Sequence, residues 1–436
     1  MRRCLREWGT LAHGDTPDTI PERHAERLVQ VARRSQFAGR SEDGVLEHRR
    51  RDLRARGVVG VIATPGCQLE ILPKIDAPGD DGPASDAALR RRLVHMLAVA
   101  RDIRLDALSP AELGWQRDTL LEILIRLFCR QAVNALRRGM PRQYVARHDD
   151  LAALRGRLDV ARQFSVLAAD PGRLACQFDE LSPDIAMNQI VKATISRLSQ
   201  LATAPDNQRS LRELTLAYAD IRPVPVTALP WDQVHIDRAN QSWRDLLALA
   251  RLLIGQRYQN TSAGRSDGHA LLFEMNVLFE EYIARLAKRA MADSGLSVHS
   301  QGGHRDCLFE DGTGRFRTRP DIVIRNGRIT EMIIDTKWKR VAPRVDDEKQ
   351  GVSQADVYQL MAYSQLYECR NVMLLYPHHA GLGRHPGTRR FDIARRNGKN
   401  ALLISTIDVT APAASVVRAL RRMIDDRNGP PAIPAG

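Results

Sequence analysis

Asp321, Asp335 and Lys337 are the residues of this chain whose types and spacing best suit catalysis. They bracket the stretch from Arg319 to Arg340, RPDIVIRNGRITEMIIDTKWKR. DIVI and RITEMIID are rich in branched apolar residues, and Asn326-Gly327 between them is a turn signal, so the stretch reads as a β-hairpin. Asp321 opens the first strand. Asp335 and Lys337 close the second two positions apart, and the strand period of two points both to one face. Phosphodiester hydrolysis needs an activated water, neutralised charge in the transition state and help for the leaving oxygen. Clustered carboxylates can bind Mg²⁺ (or Mn²⁺), which supplies much of all three. Asp321 and Asp335 would be ligands, with the backbone carbonyl of Thr336 as another. Lys337 would orient or help deprotonate water, or stabilise the developing negative charge.

The hairpin register decides whether the acids can meet. A plain two-residue Asn326-Gly327 turn would pair Asp321 with Met332 and send the two aspartates to opposite faces. A three-residue loop, Arg325-Asn326-Gly327, pairs Ile324 with Arg328 and Asp321 with Glu331, which unites Asp321, Asp335 and Lys337 on one face. The sequence therefore predicts the three-residue loop, with Gly327 in the left-handed conformation such loops need.

Helices must supply the rest of the site. The run ALLFEMNVLFEEYIARLAKRAMAD reads as one helix ahead of the hairpin. It carries Glu280 and Glu281, about 100° apart around the axis, so one would face the site and the other solvent. The helix after the hairpin, SQADVYQLMAYSQLY, places Asp356, Gln359 and Tyr363 on one face, where Gln359 and Tyr363 could hold the scissile strand or the lysine. Ser353 and Asp356, three apart, read as a capping pair. Each feature alone is common in proteins. Their order carries the weight: helix acid, Pro-Asp, hairpin, Asp-x-Lys, then Gln-x-x-x-Tyr on a helix.

The chain has 436 residues, enough for two to four domains with real cores, and 43% of them are hydrophobic. Lys plus Arg number 65 against 52 acids, a net charge of +13 that favours an acidic partner, nucleic acid being the commonest. The six cysteines stand alone, with no pairing at zinc or iron–sulfur spacing. No apolar run is long enough to span a bilayer and no apolar leader opens the chain, so a reduced, cytoplasmic setting is expected, away from membranes. There is no GxxxxGK[ST], so nucleoside triphosphate hydrolysis is not expected of this chain by itself.

An α+β multidomain fold is expected. Residues 1–76 form an α+β module, with a helix from Pro21 to Ala32 and strands VVGVIATPG and QLEILPKID around a Thr64-Pro65-Gly66 turn. The basic run His48 to Arg56 reads as a solvated face. Residues 77–86 are a linker by composition. A largely helical middle region spans 87–258, including ALRRRLVHMLAVARDI, TLLEILIRLFCRQAVNALRRG ended by Gly139, a mixed and partly strand-like stretch at Asp149 to Gln163, and helices after Ser182-Pro183-Asp184 and over Gln241 to Tyr258. His95 reads as packing rather than ligand. The polar loop 260–268 is the main boundary. Residues 269–425 then form an α/β domain with a mixed central sheet: LSVHSQ, the site hairpin, NVMLLYP and ALLISTIDV as strands and a last helix from Ala414 to Asp425. The tail 428–436 reads as flexible.

These residues also carry a resemblance. Pro320-Asp321, thirteen residues, then Asp335-Thr336-Lys337 resembles the motif of the PD-(D/E)xK nucleases in the variant with Asp as second acid. With MNVLFEEY and QLMAY beside it, and LEILPKI, GRLD and FDELSPDIAMNQ earlier, most of the chain resembles McrC, the nuclease subunit of McrBC modification-dependent restriction systems. The resemblance implies a PD-(D/E)xK endonuclease-like C-terminal domain that cuts DNA with Mg²⁺. It also implies a hexameric, GTP-hydrolysing AAA+ partner, McrB-like, that recognises 5-methylcytosine and is stimulated through the N-terminal half, with the module and middle region facing it. By motif match Asp321, Asp335 and Lys337 take the nuclease roles, Glu280 is the helix acid and metal ligand, and Gln359 and Tyr363 are the trailing motif. The alternative is an inactive adaptor that activates such a motor and keeps the fold only.

Overall fold

The computed structural model describes residues 1–35, 37, 44–74, 85–104, 118–238, 240–254, 268–341, 352–383, 385–393 and 400–426. Most of the expected linker at 77–86, most of the loop at 260–268 and the tail at 428–436 lie outside them. By internal contacts the chain divides into two compact units: Met1–Leu120 together with Gln259–Gly436, and Leu121–Tyr258. The sequence places three domains, with the last beginning at residue 269.

The reason for the different division is one strand. His269–Glu274 lies antiparallel to Val58–Thr64, pairing Leu272 with Gly60. It completes a four-stranded sheet in the order Arg2–Arg6, Cys67–Leu72, Val58–Thr64, His269–Glu274. The helix predicted from ALLFE onward therefore begins only at Met275 and ends at Ala290. Its first residues are good helix formers, but a free strand edge of Val58–Thr64 satisfies their backbone groups, and tertiary pairing overrides propensity. Gly60 makes room: a β-carbon there would lie 1.9 Å from the Leu271 carbonyl oxygen. The helix Glu22–Arg33 packs on Val58–Thr64, and Ala25, Leu28 and Val29 share one core with Ile62, Leu69 and Ile71. This helix and the strand pair around Gly66 follow the sequence expectation.

The second sheet of this unit has six strands in the order Ser297–Ser300, Ile322–Asn326, Ile329–Thr336, Asn371–Pro377, Asn400–Ile407, Thr388–Ile393. It is mixed. The hairpin and both edge pairings are antiparallel, while Ile329–Thr336, Asn371–Pro377 and Asn400–Ile407 run parallel. The helix Gln354–Leu366 covers Ile329–Thr336 and Asn371–Pro377, and its Leu360 and Tyr363 share a core with Val323, Ile333 and Val372. The helix Met275–Ala290 contacts Ile329–Thr336 as well, together with helices Asp86–Ala100 and Ala413–Asp425. Two elements here escaped the sequence reading: the edge strand Thr388–Ile393 and a two-stranded ribbon, Asp306–Glu310 with Thr313–Arg317. The ribbon had a signal, since Asp311-Gly312 is an Asp-Gly turn and both residues take positive φ, 48° and 75°.

The second unit is helical with one small sheet. Nine-residue strands Gln143–Leu151 and Leu174–Ser182 pair antiparallel along their whole length, with the short Arg157–Leu158 beside the second. Helices Ala186–Leu201, Pro205–Ala217 and Arg244–Ile254 supply its apolar packing. No helix among the described residues is long and apolar enough to cross a membrane.

Candidate active site

The hairpin turns differently from the expected three-residue loop. Asn326 pairs with Ile329, so the turn is the two residues Gly327-Arg328, and Gly327 has φ +58°. Arg325 pairs with Thr330, but Ile324 pairs with Met332. Glu331 is thus an extra, bulged residue, and such a bulge shifts register by one. Ile322 lies opposite Ile334, so the ladder brings Asp321 and Asp335 to corresponding positions on one face. The face is the expected one, reached by a tight turn plus a bulge rather than by a longer loop. It is also the face of Val323 and Ile333, over which Leu360 and Tyr363 pack.

Each site residue is held by its neighbours. Asp321 Oδ2 accepts hydrogen bonds from the Thr336 N–H at 2.8 Å and the Thr336 hydroxyl at 2.9 Å. The Lys337 ammonium lies 2.7 Å from Asp335 Oδ2 and 3.7 Å from Asp356 Oδ1. Lys339 donates to Asp356 Oδ2 at 3.0 Å. Asp356 is therefore a partner of the two lysines, not the cap expected of it. Ser353 does stand at the N-cap of Gln354–Leu366, but its side chain makes no cap hydrogen bond. The Gln359 amide donates to the Tyr363 hydroxyl at 2.7 Å, so these two meet one turn apart as the sequence suggests.

The two helix acids separate cleanly. Glu281 pairs with Arg101 at 3.1 Å. Glu280 instead faces Asp321: burial and then the Asp321 charge push its carboxyl up to about 7, while a hydrogen bond from Gln301 opposes this. Gln301 also ties down the strand entrance, its N–H donating to the Asp321 carbonyl at 2.7 Å, and its side chain accepts from Arg319. Neither Gln301 nor Asp356 was legible as a site residue, because both act through contacts made only on folding.

Electrostatics sets the character of the site. Asp335 is 2% exposed. Burial, then Asp321, pushes its carboxyl up to about 6, against the pull of Lys337. Asp321 is also raised by burial, opposed by the two Thr336 hydrogen bonds. Burial alone would lower Lys337, but Asp335 and Asp356 more than offset it and hold the ammonium charged. Tyr363 is raised by burial and by both aspartates. Asp321 and Asp335 thus share one buried place, and after burial the Asp321 charge raises both Asp335 and Glu280, a donor set whose chemistry suits a hard divalent cation. The arrangement is not a closed cage: among the described residues no group of three or more His, Cys, Asp or Glu side chains is gathered so that it could hold a metal ion. The fit is therefore that of a carboxylate pair, Asp321 and Asp335, with Glu280 beside Asp321. His95 plays no part; it packs edge-on to Tyr282, 6.1 Å between ring centroids.

The comparisons with known proteins point one way. A family model described as McrBC 5-methylcytosine restriction system component matches residues 53–377. The chain is 21% identical over 281 residues to the Type IV methyl-directed restriction enzyme EcoKMcrBC of Escherichia coli (strain K12), a match over 60% of this chain and 78% of that protein. Its fold matches a chain of the refined half-complex from the tetradecameric assembly of Thermococcus gammatolerans McrB AAA+ hexamers with bound McrC, with TM-score 0.72 and 22% identity over 98% of this chain and 100% of that one. A chain of the cryo-EM structure of the Thermococcus gammatolerans McrBC complex matches with TM-score 0.53 and 24% identity, over 70% of this chain and 90% of that one. At these identities the structural likenesses speak for the fold.

Proposed function

Since the chain belongs to the family of McrBC 5-methylcytosine restriction system components, we propose that it is the DNA-cutting subunit of such a system, a Mg²⁺-dependent endonuclease that works with, and stimulates, a GTP-hydrolysing AAA+ hexamer. The observation that carries this reading is the joint presentation of Asp321, Asp335 and Lys337 at the ends of two paired strands, with Glu280 on the neighbouring helix raised by burial and by the Asp321 charge. The lack of a GxxxxGK[ST] segment agrees with it, because DNA movement would then draw on a partner's nucleotide site. The Thermococcus gammatolerans half-complex supports the partner, since in it McrC is bound to McrB AAA+ hexamers. A net charge of +13 supports DNA as the substrate.

In this reading Asp321 and Asp335 would hold the metal ion, with Glu280 and the Thr336 carbonyl as further candidate ligands. Bound there, Mg²⁺ would supply charge neutralisation and a more acidic water. The residues of the chain do the rest. Thr336 fixes one Asp321 oxygen, so the carboxylate presents the other in a single orientation. Lys337 stays protonated near neutral pH, which suits it to stabilising negative charge on the phosphate rather than to taking a proton from water. Asp356 holds Lys337 and Lys339, and Gln359 holds the Tyr363 hydroxyl on the helix that packs over the site strand.

Asp335→Ala is expected to lower Mg²⁺-dependent cleavage of methylated DNA about a thousandfold or more while sparing partner GTPase stimulation. Cleavage at the wild-type rate by the purified variant would defeat the nuclease assignment and leave the adaptor reading, a chain that activates the motor without cutting.

A further inference from the structure

The exit of the site strand is fastened to the N-terminal sheet. Trp338 follows Lys337 directly and is 2% exposed. Its ring packs on Phe279, 5.4 Å between centroids, and Phe279 precedes Glu280 on the helix. The one polar atom of the side chain, the indole N–H, donates to Glu7 Oε2 at 3.0 Å. Glu7 follows the strand Arg2–Arg6, is 4% exposed, and donates its own backbone N–H to the Leu72 carbonyl at 2.8 Å. Its carboxyl is raised by burial, with Lys74 pulling the other way.

A buried carboxyl is costly to keep, and a buried indole asks only for one acceptor, which a backbone carbonyl or an amide could supply. Here that acceptor comes from another sheet, 331 positions earlier in the chain. The residue it fixes directly follows Lys337 in the chain, and its ring touches Phe279, the neighbour of Glu280. We propose that Glu7 is a positioning residue for the hydrolytic centre, acting through Trp338 on Lys337 and Glu280. The proposal rests on the nuclease reading above. It makes the N-terminal sheet part of the machinery that aligns the site, in addition to any partner contact that sheet makes.

The test uses the full chain with its AAA+ partner, methylated duplex DNA and Mg²⁺. Glu7→Leu and Trp338→Phe each remove the hydrogen bond, the second while keeping a ring against Phe279. Each is expected to lower kcat about ten- to a hundredfold with KM for DNA unchanged, the scale of effect that a small displacement of reacting groups produces. Glu7→Gln, whose amide oxygen still accepts from the indole, is expected to restore cleavage to near the wild-type rate. The double variant Glu7→Leu/Trp338→Phe should be no slower than the slower single one, since both break the same contact. Thermal denaturation of each variant separates this from a merely structural role, which would lower Tm and leave kcat of the folded protein unchanged. Unchanged kcat in folded Trp338→Phe would overturn the proposal, and this holds even if Glu7→Leu fails to fold. Asp335→Ala run alongside keeps the two ideas apart. If it cuts like the wild type, the nuclease reading fails; if it is dead while Trp338→Phe is fully active, only the positioning role fails.

Discussion

At Asp335 three opposing demands meet: burial, a second carboxylate at the corresponding position of the next strand, and an ammonium 2.7 Å away. Burial and like charge win, so Asp335 and Glu280 titrate near neutrality, at about 6 and about 7. The consequence for stability has a definite sign. A carboxyl whose folded pKa lies above its unfolded value binds more protons in the folded state, so stability falls as pH rises between the two values. For Glu280 that window runs from 4.5 to about 7. In metal-free buffer the Tm of the wild type should therefore decline from pH 5 to pH 8, and Glu280→Gln should flatten the decline, as followed by circular dichroism. A steeper fall in the variant would mean that Glu280 is not the group paying for its burial. At this scale the sequence was highly legible, because Pro-Asp, Asp-x-Lys and Gln-x-x-x-Tyr are local patterns. What stayed hidden was who holds whom. Asp356 had a cap as its local role and took the two lysines instead, and that preference exists only once strand and helix have met.

Among elements, the hairpin teaches the most. The shared face of the aspartates was expected from a three-residue loop, and they do share one. The route differs, because a two-residue turn with a bulge at Glu331 corrects the register as well as a longer turn does. The strand His269–Glu274 was hidden for another reason. Its residues continue the helical pattern of Met275–Ala290, and only the edge of Val58–Thr64, which no local window contains, makes them a strand. Gly60 is the physical key to that pairing, with φ +134° and a carbonyl oxygen where a side chain would begin. Gly60→Ala is expected to destabilise the unit by about 3 kcal/mol, through backbone strain and overpacking, as measured by urea denaturation. A loss below half a kcal/mol would show that the strands can slide apart freely.

For the whole molecule, the pairing of Val58–Thr64 with His269–Glu274 changes where the chain can be cut. A fragment of residues 268–436 contains every site residue, yet it leaves an apolar edge strand without its partner and Trp338 without Glu7. Exposed edges of that kind recruit other strands. Such a fragment is expected to aggregate on expression and to show no Mg²⁺-dependent cleavage, whereas co-expression with residues 1–120 should recover soluble protein. A monomeric, active fragment in size-exclusion chromatography would refute this. The same pairing bears on when the protein can act. Its two strands lie ~200 residues apart in the chain, so their pairing closes a long loop and forms only after residue 274 has been made. The helix that delivers Glu280 begins at the very end of the later strand. Loss of that one pairing would release the start of the helix that carries Glu280, so the helix acid of the candidate site depends on a contact with the N-terminal sheet.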